Sequence, residues 1–178
     1  MNDKFNLILI LNLKVLLLFL FIFFIIINFI FHKQIKVCVC TIGKNENKYA
    51  KEFVEYYKNY GVDNIFLYDN NENEGEIFDE VLHNDINNGF VKIINFRGLI
   101  GAQIKEYQHC YKENYKKYDW LIFFDMDEFI FLKNYKNIKK FLKKKIFNKC
   151  QRIQLNWIFH TDNNLLYYDN RPLAERFQ

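Results

Sequence analysis

From Ile35 onward, short apolar runs alternate with longer stretches in which apolar residues recur three and four positions apart. "IKVCVCTI" is a β-branched run closed by the polar "GKNE", the pattern of a strand. "NKYAKEFVEYYKNYG" then sets Tyr49, Phe53, Tyr56, Tyr57 and Tyr60 on one helical stripe, with Gly61 as a C-terminal stop. "NIFLYD" reads as a second strand and runs into the acidic, Asn-rich loop "NNENEGE". A short helix is predicted near residues 77–82, and "FVKIINF" is a third strand. "GAQIKEYQHCYKENYKKY" has helical period, and "WLIFFD" is a fourth strand. The βαβαβαβ order predicts an α/β domain, a mostly parallel sheet with helices on both faces. Such sheets bind ligands beyond the carboxyl ends of their strands, where Thr41, Asp69 and Asp125 fall.

The first residues follow a different pattern. Residues 15–31, "VLLLFLFIFFIIINFIF", are apolar apart from Asn28, and residues 7–13 extend the run with Lys14 between. A bilayer span needs ~20 mostly apolar residues, so the pattern predicts one N-terminal transmembrane helix. No A-x-A-like cleavage site follows, which argues against a removed signal peptide. The expected organisation is a membrane anchor with short flanks at 1–34 and a globular domain at 35–178. Lys4 and Lys14 before the run balance Lys33 and Lys36 after it, so charge leaves the orientation open.

Composition adds exclusions. Hydrophobic residues make up 51% and aromatics 19% of 178 residues, enough to core one domain. A net charge of +4 gives no argument for a nucleic-acid partner. The chain contains no Ser, so a Ser-based triad is excluded. Cys38 and Cys40 share a strand face, no C-x-x-C occurs, and the four cysteines read as ordinary buried thiols; a Cys110–Cys150 pairing stays open. In "KNYKNIKKFLKKKIFNK", Tyr135, Ile138, Phe141, Leu142 and Phe147 lie roughly at helical spacing beneath a dense lysine face. That run reads as a solvated helix surface, with contact to anionic lipid headgroups as the functional alternative.

Candidate chemistry concentrates in "DWLIFFDMDEFIFL", where Asp125, Asp127 and Glu128 stand between two apolar runs. A carboxylate moved out of water without a partner costs several kcal/mol or takes up a proton. The cluster therefore predicts a compensating cation or exposure at a loop. Asp125 and Asp127, with Asp69 at a neighbouring strand end, suit a hard cation such as Mg²⁺ or Mn²⁺, completed by substrate phosphates. An EF-hand loop is excluded, because Phe129 and Ile130 occupy the places it needs for oxygen ligands and Gly. A phospho-aspartate phosphatase would carry its D-x-D after the first strand.

Four ordered blocks carry a resemblance. "CTIGKNENKYAKEFVEYYKNYGVDNIFLYDNNENEGE", "GAQIKEYQHCY", "YDWLIFFDMDEFIFL" and "NWIFHTDNNLLYYDNRPLAERF" resemble the family 2-like and family 92 glycosyltransferases, across residues 36–177. The resemblance implies a GT-A (Rossmann-like) fold and transfer of a sugar, a hexose foremost, from a nucleotide-sugar, usually a UDP-sugar. The acceptor it implies is a hydroxyl of a glycan or other molecule, and the cofactor Mn²⁺ or Mg²⁺ at the D-x-D. It also implies a single-pass membrane protein, of Golgi or ER type II if eukaryotic. Residue by residue, it puts Thr41, Glu46, Asp69, Gln103 and Asp125 on the nucleotide-sugar and Asp125 and Asp127 on the metal. Glu175 becomes the candidate catalytic base. Plain structural readings stand beside these: Thr41 as a helix cap, Asp69 opening an Asx-turn with Asn70, Gln103 as a solvated helix residue. Two departures follow. Phe159-His160 stands where many relatives have Phe-Gly, and the chain stops just after "ERFQ", where relatives continue. The second departure sets a membrane-tethered nucleotide-sugar-binding domain without turnover beside the enzyme reading.

Overall fold

The central strand, β1 (Val37–Gly43), is buried on both faces. Its β-branched and small side chains suit that place, because a parallel strand covered by helices on both sides has no solvated face. The computed structural model describes residues 14–25, 27, 34–160, 167 and 171–173. The chain divides into two compact units, Met1–Gln34 and Ile35–Gln178. Residues 14–25 are helical, and no helix among the described residues is long and apolar enough to cross a membrane. The rest of the expected span, residue 26 and residues 28–31, lies outside the described residues.

In the second unit the chain runs β1, α1 (Asn47–Asn59), β2 (Asn64–Asp69), α2 (Asp79–Asn87), β3 (Val91–Asn95), α3 (Ala102–Asn114), β4 (Trp120–Phe123) and α4 (Ile138–Leu142). All strand pairs are parallel and the order across the sheet is β3-β2-β1-β4. The register sets Gly43 beside Asp69 and Cys40 beside Phe123. The expected mostly parallel sheet with helices on both faces is what forms. Phe53 and Tyr57 of α1 and Leu82 of α2 join Val37, Val39, Ile65 and Leu67 on one face. Cys110 of α3 joins Cys38, Cys40, Phe66 and Tyr68 on the other. The chain moves outward from β1 to β3 and then back past β1. Right-handed crossovers therefore require α3 to lie on the face opposite α1 and α2.

Two local expectations shift, and the Gly61 stop holds. Ala50, Phe53, Val54 and Tyr57 form the buried stripe of α1, leaving Tyr49 half-buried. Gly61 ends the turn after that helix at φ +85°, and the side chain of Asn137 fills the space where a Cβ would stand. The lysine-rich run yields only α4 and a 3-10 turn, Lys145–Phe147, with Ile138 and Leu142 buried. Asn137 caps α4 through the amides of Lys139 and Lys140. Like charges four apart, Lys139 with Lys143 and Lys140 with Lys144, oppose extending it.

The cysteines depart from the reading as free thiols. Cys40 and Cys110 form a disulfide that joins β1 to α3 across 70 residues, Cys38 is a buried thiol, and Cys150 is exposed. Burial, with the Asp63 charge second, pushes the Cys38 thiol up to about 12.

Candidate active site

Between β1 and β4 the winding of the sheet reverses, and open α/β sheets bind ligands in the crevice beyond the carboxyl ends at such a reversal. The acidic stretch after β4 lies there. Asp125 to Glu128 form a turn: the Glu128 amide donates to the Asp125 carbonyl at 3.0 Å, and the Glu128 carboxylate accepts from the Asp125 amide at 3.2 Å. Met126 is buried against Gly43, where an added Cβ would meet its terminal methyl at 2.8 Å and the Phe78 ring at 2.6 Å. A side chain at Gly43 would therefore displace the turn or the core beneath it. With Met126 as the plug, Asp125 and Asp127 on either side are exposed. Exposure is how this strand end tolerates them.

Two tyrosines of α1 hold the chain that follows. The Tyr57 hydroxyl donates to the Glu128 carbonyl at 2.8 Å and accepts from the Ile130 amide at 3.1 Å. The Tyr56 hydroxyl donates to the Ile130 carbonyl at 2.6 Å. Gln103, on the first turn of α3, reaches the same edge. Its Nε2 donates to Asp125 Oδ1 at 2.9 Å and to the Tyr107 hydroxyl at 3.0 Å.

The charges of this edge are unbalanced. Burial, and then the Asp127 and Asp125 charges, raise the Glu46 carboxyl above its usual range, against the Lys44 amide that donates to it at 3.2 Å. Burial and the same two aspartates raise Glu128. Carboxylate oxygens suit Mg²⁺ and Mn²⁺, and a cation at Asp125 and Asp127 would offset this field. Among the described residues, one group of three possible ligands converges within 4.8 Å: Cys40, Glu106 and Cys110. Its sulfurs are joined to each other. Asp69, Asp125 and Asp127 do not converge as a set of three within that distance.

Asp69 ends β2 in a different setting. It is buried, and its Oδ1 accepts from the amide and side chain of Asn71 at 3.0 and 2.8 Å, the Asx-turn through Asn70 that the plain structural reading expects. Its Oδ2 lies 2.7 Å from the Arg97 guanidinium. Asn71 in turn accepts from the Asn45 amide at 2.7 Å, which ties the loop after β1 to the loop after β2. Asn45 sits at φ +59°, a left-handed position that Asn tolerates. Thr41 lies within β1 rather than beyond it, and its buried hydroxyl has no hydrogen-bond partner. Glu175 lies outside the described residues.

Sequence reasoning missed Arg97 and Glu106. Arg97 lies two residues after β3 in "NFRG", a cation between Phe96 and a Gly. Glu106 belongs to the buried row of α3, Ala102, Glu106, Cys110 and Asn114, each four residues from the last. The spacing is a core signal, but Glu106 and Asn114 are residue types of a solvated face. Neither carboxylate oxygen of Glu106 has a partner, and burial, then the Asp125 charge, pushes its carboxyl up to about 8.

A model of glycosyltransferase family 92 matches residues 33–172. A glycosyltransferase family 92 protein of Ricinus communis is 30% identical over 111 residues, which are 62% of this chain and 20% of that protein. One of Oryza sativa subsp. japonica is 29% identical over 98 residues, 55% of this chain and 16% of that protein. One of Arabidopsis thaliana is 30% identical over 105 residues, 57% of this chain and 17% of that protein. The chain thus spans about a fifth or less of the length of the curated relatives it matches. No solved structure matches it.

Proposed function

The chain belongs to glycosyltransferase family 92, and from that premise we propose that it is a metal-dependent glycosyltransferase of GT-A type. It transfers a sugar, a hexose foremost, from a nucleotide-sugar to a hydroxyl of a glycan or other acceptor, with a UDP-sugar as the donor. The observation that carries the reading is the hydrogen bond of Gln103 to Asp125, in the exposed acidic turn that also carries Asp127, at the winding reversal between β1 and β4. In this reading Asp125 and Asp127 would hold Mn²⁺ or Mg²⁺, and the ion would supply positive charge to offset that of the leaving diphosphate. Gln103 fixes the Asp125 carboxylate, and the Tyr56 and Tyr57 hydroxyls fix the turn that carries the acids. Glu46 lines the nucleotide side just beyond β1, with Thr41 buried behind it inside the strand. Asp69, already bonded through both oxygens, keeps lone pairs for a ribose or base donor and is oriented by Arg97. Glu175 is assigned as the general base from its place in the sequence alone.

The apolar residues 15–31 support a single-pass tether, and the Cys40–Cys110 disulfide supports an oxidising compartment such as the lumen of the ER or Golgi. The test is nucleotide release by the full chain from a panel of sugar nucleotides, with and without Mn²⁺. Mn²⁺-dependent release from one UDP-sugar is expected. Mn²⁺-dependent nucleotide binding without release from any donor would reduce the chain to a tethered binding domain.

A further inference from the structure

Charge is sorted along the strand direction. The carboxyl edge of the sheet carries Glu46, Glu72, Glu76, Asp125, Asp127 and Glu128 in the loops that follow β1, β2 and β4, against Lys44, paired with Glu72, and Arg97, paired with Asp69. The opposite edge, where the strands begin, is basic. Lys36 precedes β1, Lys58 ends α1, Lys116 and Lys117 lie between α3 and β4, and α4 is fastened there. Its Ile138 amide donates to the Tyr60 carbonyl at 2.8 Å, and Lys139 pairs with Asp63 at 2.5 Å. Of the acids near this edge, Asp63 is engaged by Lys139 and the Val37 amide, Asp85 by Lys58 and Asp119 by the Lys36 amide, while Glu113 in the last turn of α3 is exposed. Residues 129–161 contain eight lysines and one arginine and no Asp or Glu. Lys140, Lys143, Lys144 and Lys145 are exposed, and beside them Ile146 is 72% exposed. A cleft of about 360 Å³ opens at the same edge, lined by Lys36, Asp63, Asn64, Lys117 and Tyr118. In sequence, the apolar N-terminal run precedes β1, which starts at Val37.

We propose that this basic edge, centred on Lys140 and Lys143–Lys145, seats on a bilayer surface containing anionic phospholipid, so that the acidic carboxyl edge faces away from it. Lysines at helix ends are ordinary, because they complement the helix dipole. A cationic edge with a protruding Ile, with no acid across residues 129–161, exceeds that need and matches the chemistry of a headgroup layer, where lysines meet phosphates and apolar side chains insert between them. Seated this way, the domain turns its donor site toward solvent. The proposal uses the membrane-tethered reading only for the tether and stands or falls separately from the transfer reaction.

The test uses the full chain reconstituted into vesicles of phosphatidylcholine alone or mixed with phosphatidylserine. Amine-reactive labelling is read lysine by lysine by mass spectrometry. Labelling of Lys140 and Lys143–Lys145 is expected to fall several-fold in the phosphatidylserine vesicles and to recover at high salt, while Lys44 and Lys51 stay unchanged. Lys143→Glu together with Lys145→Glu should abolish the protection left at Lys140. Equal labelling in both vesicle types would overturn the proposal. So would equal or stronger protection of these lysines by an oligonucleotide or acidic oligosaccharide in detergent, which would make the edge a general polyanion site. If alkaline carbonate extracts the chain while phosphatidylserine still protects the lysines, the tether fails and the seating surface survives.

Discussion

Asp69 and Arg97 meet at 2.7 Å just beyond the carboxyl ends of β2 and β3, and the same guanidinium donates to the carbonyls of Glu72, Asn73, Gly75 and Glu76. Arginine suits this task because its donors are fixed in a planar fork. The loop after β2 is folded around a single cation, and that loop is bonded to the loop after β1 through Asn71 and Glu76. Arg97→Ala leaves a buried carboxylate without its cation and is expected to cost roughly 3 kcal/mol of stability. Asp69→Asn should cost less, and the double variant less than the sum, since each removes the same pair. Chemical denaturation of the four proteins measures this. Additive losses would mean that the pair is energetically idle.

Tyr57 gives a second test. Its hydroxyl bridges the Glu128 carbonyl and the Ile130 amide, and the side chain is fully buried. Tyr57→Phe keeps the ring packing and orphans both backbone groups, so a loss of about 1–3 kcal/mol is expected. Because these bonds fix the chain just after Asp127, Mn²⁺-dependent nucleotide binding should weaken as well. Calorimetry of stability and of binding on the same protein separates the two effects.

For the metal, Asp127→Asn removes one of two exposed charges in one turn. Mn²⁺ with UDP should raise the melting temperature of the parent by an amount that grows with ligand concentration. The variant should lose that rise and, without ligand, be no less stable than the parent, since one charge repelling Glu46 and Glu128 is gone. A destabilised variant that still responds to Mn²⁺ would assign Asp127 a structural role.

Glu106 predicts a pH dependence. Its carboxyl is raised from the ordinary 4.5 to about 8, first by burial and then by Asp125. The folded chain keeps the proton while the unfolded chain releases it, so the stability tied to this group is full below about pH 4.5. It declines as pH climbs toward 8. Glu106→Gln cannot ionise. Its melting temperature relative to the parent should therefore rise between pH 5 and pH 8 and level off above (roughly 1.4 kcal/mol for each pH step crossed). Parallel profiles for the two proteins would show that Glu106 ionises freely.

The strands were legible because their signals are local. β-branched runs ending in Gly or Asp mark β1 and β2, and the alternation of strand and helix leaves little choice but a parallel sheet. Position at the ends of β2 and β4 also marks Asp69, Asp125 and Asp127 from the sequence alone. The missed features depend on partners distant in sequence. Nothing near Cys40 announces Cys110, and the pairing of Asp69 with Arg97 requires knowing that β3 lies beside β2. The lysine run misled for a physical reason: Ile138, Phe141 and Leu142 do share a helix, but Tyr135 lies before its Asn137 cap, and like charges four apart oppose extending it past Leu142.

The bond between Cys40 and Cys110 also sets how the molecule answers a pull. Tension applied at the first and last residues travels from Cys40 to Cys110 through the sulfurs, so the 70-residue span between them, with β2, α2 and β3, carries none of it. At ~3.4 Å for each extended residue, the reduced chain would stretch roughly 240 Å further than the oxidised one before coming taut. Under load, the loops that hold Asp69 and Arg97 stay slack for as long as the sulfurs remain joined.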